Sequence, residues 1–369
     1  MDLKFFLTTM MEKQASDLFL TTGAPVAMKI EGRLTRMGKT GLPPGMVRKI
    51  AYGLMDERAK LEFERDLECN IALMVPDVGR FRVNVFQQRG EIALVIRAVR
   101  SDIPSLESLG LPSVLQSVIC QPRGLVLVVG STGSGKSTTL ASMIDYRNTN
   151  LPGHILTIED PIEFLHPHKE SIVNQREVGT DTRNFHGALK NAMREAPDVI
   201  LIGEILDVET MEAAISFAET GHLCLATLHS NNADQAIERI LNFFPQASHP
   251  NVLMNLSLNL RAIISQRLVK SVEGKRMPAV EVMLNTGLIA DLIRRGNIHE
   301  IKKAMEESLS EEMETFDQCL FRMAKEGLIT EEIAISAADS KEGLALKFRL
   351  SAGALDASSD PYAEMYSQS

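Results

Sequence analysis

Gly130-Ser131-Thr132-Gly133-Ser134-Gly135-Lys136-Ser137 decides how most of this 369-residue chain folds. The octet fits G-x-x-x-x-G-K-[ST], the pattern of a phosphate-cradling loop. Its three glycines let successive main-chain N–H groups turn inward around phosphate oxygens. Lys136 is the side chain that reaches the β- and γ-phosphates, and Ser137 offers a hydroxyl to Mg²⁺. The flanks supply the required frame. Gly124-Leu125-Val126-Leu127-Val128-Val129 is an unbroken apolar run of the kind a buried parallel strand needs. Ser137–Tyr146 reads as a helix whose N-terminus adds its dipole to the anion site. Strand, loop and helix together predict that the chain binds a nucleoside triphosphate.

Working outward, apolar strands alternate with helical segments from about residue 113. That alternation predicts a mostly parallel sheet. Strands are expected at 125–129, 154–158, 199–203 and 223–228, each ending in a polar segment, where parallel sheets bind their ligands. Before residue 100 the pattern is that of a small α/β domain. Leu3, Phe6, Leu7, Met10 and Met11 fall at helical spacing; packing against their own domain or lying on a membrane surface are the two uses of such a stripe. Gly23-Ala24-Pro25 separates two short strands, and Arg80–Phe86 alternates polar with apolar before a second strand over Glu91–Val99, which predicts a hairpin. The expected domains are 1–100, a linker at 101–112 with two prolines and a glycine, an ATP-binding domain over 113–345, and a disordered tail at 346–369. Beyond about residue 250 the periodicity reads as helical, including Leu253–Leu268 and Thr315–Lys325.

With 44% apolar and 24% charged residues, the chain falls in the ordinary globular class. No run approaches the roughly 18 apolar residues of a membrane span. Cys69, Cys120, Cys224 and Cys319 form no C-x-x-C pair, which argues against a zinc ribbon or a disulfide framework and fits a reducing compartment, the cytoplasm. The net charge of −9, 5% aromatics and absence of Trp argue against a nucleic-acid partner.

Three further segments carry chemistry. Ile155–Phe164 puts Glu159, Asp160 and Glu163 within five residues at a strand end. Carboxylates this dense repel one another unless a cation or an attacking water sits among them, and hydrolysis of a γ-phosphate uses such a group to orient water. Val199-Ile200-Leu201-Ile202 ends on Gly203-Glu204, a carboxylate at a buried strand terminus that resembles a Walker B element. Thr220–His229 brackets one apolar strand with His222 and His229. Seven residues apart on a period-two strand, they lean to opposite faces and share no metal. His229, at the carboxyl end with Thr227, is the one placed to sense a γ-phosphate, and His222 reads as a hydrogen-bonded core or interface histidine.

Taken together, the phosphate loop, Glu159-Asp160-Pro161-Ile162-Glu163, Gly203-Glu204-Ile205 before Glu209-Thr210, and the two-histidine segment resemble the secretion-type motor ATPases. Over roughly residues 1–345 the chain is similar to the type IV pilus retraction ATPases of the PilT/PilU type. Ala15-Ser16-Asp17-Leu18, Gly79–Asn84 and Gln175–Gly179 add to the likeness, whereas the tetracysteine metal site of the extension motors has no counterpart here. Phe217–Leu223, Asn231–Ala236 and Ala338-Asp339-Ser340 resemble the PilU branch more than the PilT branch. The resemblance implies an α/β fold: a small PAS-like N-terminal domain, then a RecA-like domain with a mostly parallel sheet and trailing helices. It implies a homo-hexamer that hydrolyses ATP with Mg²⁺, a PilT-type retraction ATPase and an inner-membrane pilus platform protein as partners, and only peripheral contact with the inner face of that membrane. It assigns Ser131, Thr132, Gly133, Ser134, Gly135, Lys136, Ser137 and Thr138 to the phosphates, Ser137 and Glu204 to the metal, Glu163 to the general base, and His222 and His229 to a histidine box. Arg82 and Arg97 resemble arginines that contact ATP phosphates, a role suited to a planar, permanently charged fork.

One departure stands out. Where the family carries arginines after Gly-Glu-Ile, this chain has Leu206 and Val208, which predicts weaker intrinsic hydrolysis or altered coupling. Two other readings therefore stand beside the motor: a nucleotide-dependent assembly or regulatory subunit of a stronger PilT-type motor, and a RecA-like nucleic-acid translocase.

Overall fold

The computed structural model of the chain describes residues 2–30, 32–308 and 312–357. They fall into two compact units, 1–102 with 162–166, and 103–161 with 167–369.

The first unit is a six-stranded antiparallel sheet with helices packed against its apolar face. Its strands are β1 (Asp17–Thr21), β2 (Ala27–Ile30), β3 (Arg33–Arg36), β4 (Glu68–Val75), β5 (Gly79–Gln88) and β6 (Glu91–Ala98), in the order β3-β2-β1-β6-β5-β4, a PAS-type arrangement. The period-two pattern of β5 acts as expected: Phe81, Val83 and Val85 are buried while Arg80, Arg82 and Asn84 line the other face. Helices α1 (Leu3–Glu12), α2 (Met46–Leu54) and α3 (Glu57–Asp66) bring Leu7, Met10, Val47 and Phe63 onto the buried side. The N-terminal apolar stripe is therefore used in packing on its own unit, with Asp2 capping α1 through the Phe5 N–H at 3.3 Å.

In the second unit, β7 (Gly124–Val129), β8 (Gly153–Glu159), β9 (Ser171–Glu177), β10 (Val199–Ile202), β11 (Leu223–Leu228), β12 (Leu260–Lys270) and β13 (Arg276–Leu284) make one sheet. Its order is β13-β12-β7-β11-β10-β8-β9. Every neighbouring pair is parallel except β12 with β13. Helices are α4 (Val114–Ile119), α5 (Lys136–Asn150), α6 (Phe185–Ala192), α7 (Val208–Glu219), α8 (Ala233–Phe243), α9 (His249–Asn259), α10 (Gly287–Arg295), α11 (Ile301–Glu306), α12 (Phe316–Lys325), α13 (Glu331–Ala337) and α14 (Lys341–Ala357). Leu125, Leu127 and Val129 of β7 face α7 to α10, and Val126 and Val128 face α4 and α5. Burial on both faces is why β7 is a continuous apolar run rather than an alternating one.

Two expectations are corrected. The stretch Leu253–Leu268 is not one helix: α9 stops at Asn259 and the chain enters the β12–β13 hairpin. Ala262, Ile263 and Ile264 are wholly buried on both faces, and a short run that is apolar all round fits a buried strand or a buried helix equally well. Nor does the ordered chain end at 345. Leu344 and Phe348 of α14 pack with Phe316 and Leu320 of α12, and the Phe321 and Phe348 rings lie 4.9 Å apart, so apolar burial extends the helix. The remainder of the expected tail, 358–369, lies outside the described residues.

Candidate functional site

Because β7, β11, β10 and β8 run parallel, their carboxyl ends meet along one edge of the second unit. Val129 of β7 is in register with Leu228 of β11, and Ile202 of β10 with Ala226 of β11 and Ile158 of β8. The segments that follow these strands thus stand side by side: the phosphate loop, His229, Glu204 and Glu159.

The loop is built as its glycines predict. Gly130, Gly133 and Gly135 have φ of +155°, +79° and +93°, and Gly135 is the N-cap of α5. A Cβ on Gly130 would lie 2.5 Å from both the Gln266 carbonyl oxygen and Ser134 Oγ. Lys136 is buried, and its Nζ donates to the carbonyl oxygens of Gly130 (2.8 Å) and Ser131 (3.0 Å), spanning the loop. Ser134 Oγ is fully enclosed with no hydrogen-bond partner among the described residues, a group that a phosphate oxygen would satisfy. Gly133, Ser131 and Thr132 are exposed at the loop's crest, and Ser137 and Thr138 are half-buried in the first turn of α5. Together, the positive end of α5, the buried ammonium and the unsatisfied hydroxyl fit a phosphate chain.

Glu204 and His229 meet. His229 Nε2 lies 2.9 Å from Glu204 Oε1, and each side chain is about one-third exposed, at 37% and 34%. The register puts them there, and a local lock holds them: Thr227 Oγ1 donates to the Gly203 carbonyl at 2.5 Å, while the Ile205 N–H donates to the Thr227 carbonyl at 2.9 Å. Gly203 lets the strands approach closely here, since a Cβ would come within 3.1 Å of Glu159 Cα and 3.2 Å of the Ile158 oxygen. His229 and Ser131 also line one open cavity of about 330 Å³ with Gln235, Glu238, Arg239 and Asn242 of α8. One wall of the phosphate loop and the histidine therefore face the same space.

The three clustered carboxylates part company. Glu159 turns inward, accepting from Thr157 Oγ1 (2.6 Å) and Gln175 Nε2 (3.1 Å). Asp160 is exposed. Glu163 belongs to the first unit: the Arg100 N–H donates to its carbonyl at 3.3 Å, the Leu165 N–H donates to the Arg100 carbonyl at 2.8 Å, and its side chain faces solvent. Arg82 and Arg97 are also in the first unit, side by side in register on β5 and β6. Next along that row is Asp17, whose Oδ1 takes both the Arg97 Nε and a terminal nitrogen at 3.0 Å. Two like-charged forks at neighbouring positions repel, and Asp17 offsets this on one side.

His222, read as a hydrogen-bonded core or interface histidine and grouped by resemblance with His229, stands away from the phosphate loop. It precedes β11 at the amino edge of the sheet, where its carbonyl accepts the Gly124 N–H at 3.0 Å. Its Nδ1 is within 3.1 Å of Thr220 Oγ1 and 3.2 Å of the Phe217 carbonyl. A strand of six residues, roughly 20 Å at about 3.3 Å each, separates it from His229. Within this chain it pins the start of β11.

Residues that the sequence did not single out surround the loop after His229. Buried Glu281 on β13 accepts the Ala233 N–H (2.8 Å) at the start of α8 and the Ser265 hydroxyl (3.0 Å). Burial, above all, pushes its carboxyl up to about 7, with Asp339 and Asp234 adding to the rise. Arg267 donates to the carbonyls of Asn231 (3.2 Å) and Ala337 (2.8 Å) and pairs with Asp339. Burial would raise Asp339, but Arg267, Asn232 and Lys302 outweigh it and hold that carboxyl below its ordinary value. No motif or period marks these residues in the sequence.

Among the described residues no helix is long and apolar enough to cross a membrane, and all four cysteines are unpaired. Residues 2–331 match the family described as type II/IV secretion system protein. The type IV pilus ATPase PilU of Pseudomonas aeruginosa is 51% identical over 95% of this chain and 92% of its own length. The type IV pilus retraction ATPase PilT of the same organism is 42% identical over 90% of this chain and 97% of its own. A crystal structure of the pilus retraction motor PilT with bound ADP superposes with a TM-score of 0.87 at 42% identity, covering 93% of this chain and 98% of that one. A phosphate loop of this geometry at the carboxyl edge of a parallel sheet, in a chain similar along nearly its whole length to such proteins, makes this chain a nucleotide-binding ATPase of the type II/IV secretion system protein family, of the PilT/PilU type.

Proposed function

We propose that this chain is an ATP-driven motor for type IV pilus retraction, and so for twitching motility, that works as a ring of six and in support of a PilT-type motor. Its partners would be that motor and an inner-membrane pilus platform protein, reached from the cytoplasmic face, with contact to the membrane only through the platform. The parts doing the work would be the first unit, 1–102 with 162–166, and the second unit from 103 onward, which includes α14 beyond residue 345.

In this reading the loop amides and Lys136 hold the β- and γ-phosphates. Glu163 takes a proton from the attacking water as the γ-phosphate departs to give ADP and phosphate. Arg82 and Arg97 neutralise charge that builds on the phosphoryl oxygens. His229 passes the presence of the γ-phosphate to Glu204, which its Nε2 meets at 2.9 Å. Among the described residues no cluster of three or more His, Cys, Asp or Glu could hold a metal by itself. Mg²⁺ needs none, since it takes one or two protein oxygens plus phosphate. The hydroxyl of Ser137 and the carboxylate of Glu204 are the hard oxygen donors for it, and the bound ion would neutralise phosphate charge.

The accessory role is carried by one observation. Leu206, 59% exposed, and Val208, the first residue of α7, stand where arginines would sit beside Glu204, whose carboxylate meets the His229 imidazole at 2.9 Å. Lacking those cations, the site has fewer groups to relay hydrolysis around a ring. The same observation favours a second reading, a regulatory subunit with little turnover, which a kcat far below that of the partner motor would support. The test is retraction in cells that lack the PilT-type motor but express this protein. Feeble retraction is expected, and brisk wild-type retraction would overturn the accessory role.

A further inference from the structure

The wall behind the phosphate loop is strand β12, and one of its side chains is aimed into the loop. Gln266 is 3% exposed. Its Oε1 accepts the Thr139 hydroxyl at 2.6 Å, from one turn inside α5. The carboxamide is thereby oriented, and its Nε2 end faces Gly135: a Cβ on that glycine would lie 2.8 Å from Nε2. The main-chain oxygen of the same residue stands 2.5 Å from where a Cβ on Gly130 would be. One residue therefore presses on both ends of the loop, with its backbone at Gly130 and its side chain at Gly135. The loop glycines are thus needed twice, for positive φ and for the close approach of β12. Gly135 is followed by Lys136 and opens α5, so the setting of Gly135 fixes where the ammonium and the first helical N–H groups point. A neutral amide suits this place, since it ties the loop down without bringing a carboxylate near phosphate oxygens.

We propose that Gln266 is a positioning residue of the nucleotide site. Acting through Thr139 and Gly135, it holds the phosphate loop and the first turn of α5 in the phosphate-accepting geometry. This inference rests on the chain's being an ATPase and not on the pilus reading.

The experiment titrates a fluorescent ADP against the full-length protein and measures the thermal midpoint without nucleotide. Gln266→Met keeps the volume and loses both polar ends; Thr139→Val removes the same hydrogen bond from the other side. Each is expected to weaken ADP binding about tenfold, the scale of one lost buried hydrogen bond. The double variant is expected to be no weaker than Gln266→Met alone, because both cut one linkage. KM for ATP should rise by a similar factor while kcat at saturation changes by less than about threefold, the mark of lost ground-state positioning. Wild-type ADP affinity in either folded variant, or losses that multiply in the double variant, overturns the proposal. Should Gln266→Met fail to fold, Thr139→Val decides alone. Lys136→Ala serves as the control: if it still binds ADP as wild type does, the phosphate site itself has been misassigned, a failure separate from that of Gln266.

Discussion

Replacing Glu281 by Gln tests whether the segment after His229 is held by a carboxylate that the fold keeps partly protonated. Glu281 is 2% exposed and sits under the start of α8, where it takes the Ala233 N–H and the Ser265 hydroxyl. Those two bonds favour the charged form, yet burial dominates and carries the carboxyl from 4.5 to about 7. The folded state then keeps a proton that the unfolded chain releases, so stability falls as pH rises between about 4.5 and 7. Asp234, raised mainly by burial from 3.8 to about 6, adds a loss over its own lower window. At about 1.4 kcal/mol for each tenfold change, ionising Glu281 costs the fold about 3 kcal/mol, of which about 2–3 kcal/mol develops between about pH 5 and 8. The carboxamide of the Glu281→Gln variant would retain an acceptor oxygen for Ala233 and Ser265 and cannot ionise. In urea unfolding of this variant, the decline in stability between those two pH values should be smaller than in wild type by about that amount. Parallel pH profiles for the two proteins would refute the reasoning.

Glu163→Gln should leave ADP binding intact and lower kcat by about two to four orders of magnitude, the usual contribution of a positioned base; normal turnover there combined with loss in Glu159→Gln would move the base to Glu159. Lys136→Ala and Arg97→Ala should each be inactive alone, and a mixture should regain activity if the two residues serve one site from different subunits; full activity in a dilute monomeric sample would end that idea. Joint replacement of Leu206→Arg and Val208→Arg should raise basal ATPase while leaving nucleotide affinity nearly unchanged, and an unaltered rate would show that the missing cations do not limit turnover.

Much of the site was legible because its chemistry is local. Gly130–Ser137 needs only its own spacing and its flanks to declare a phosphate loop, and β7, β8, β10 and β11 announce themselves as apolar runs that end in polar residues. The β12–β13 hairpin was not legible, since a strand buried on both faces has no period to read. Glu281, Gln266 and Arg267 were lost with it.

The sequence by itself determined the phosphate loop, the parallel sheet and the kind of chemistry, because these follow from residue type and from patterns within about ten neighbours. Tertiary structure alone decided which groups work together. Strand order put His229 2.9 Å from Glu204 and sent His222 to the opposite edge. Glu159 and Glu163 fall in different units although only three residues lie between them in the chain. Strand order also placed Gln266 against a loop more than a hundred residues earlier. Register and crossover connections set such distances, and they are properties of the packed sheet that no local window of sequence contains.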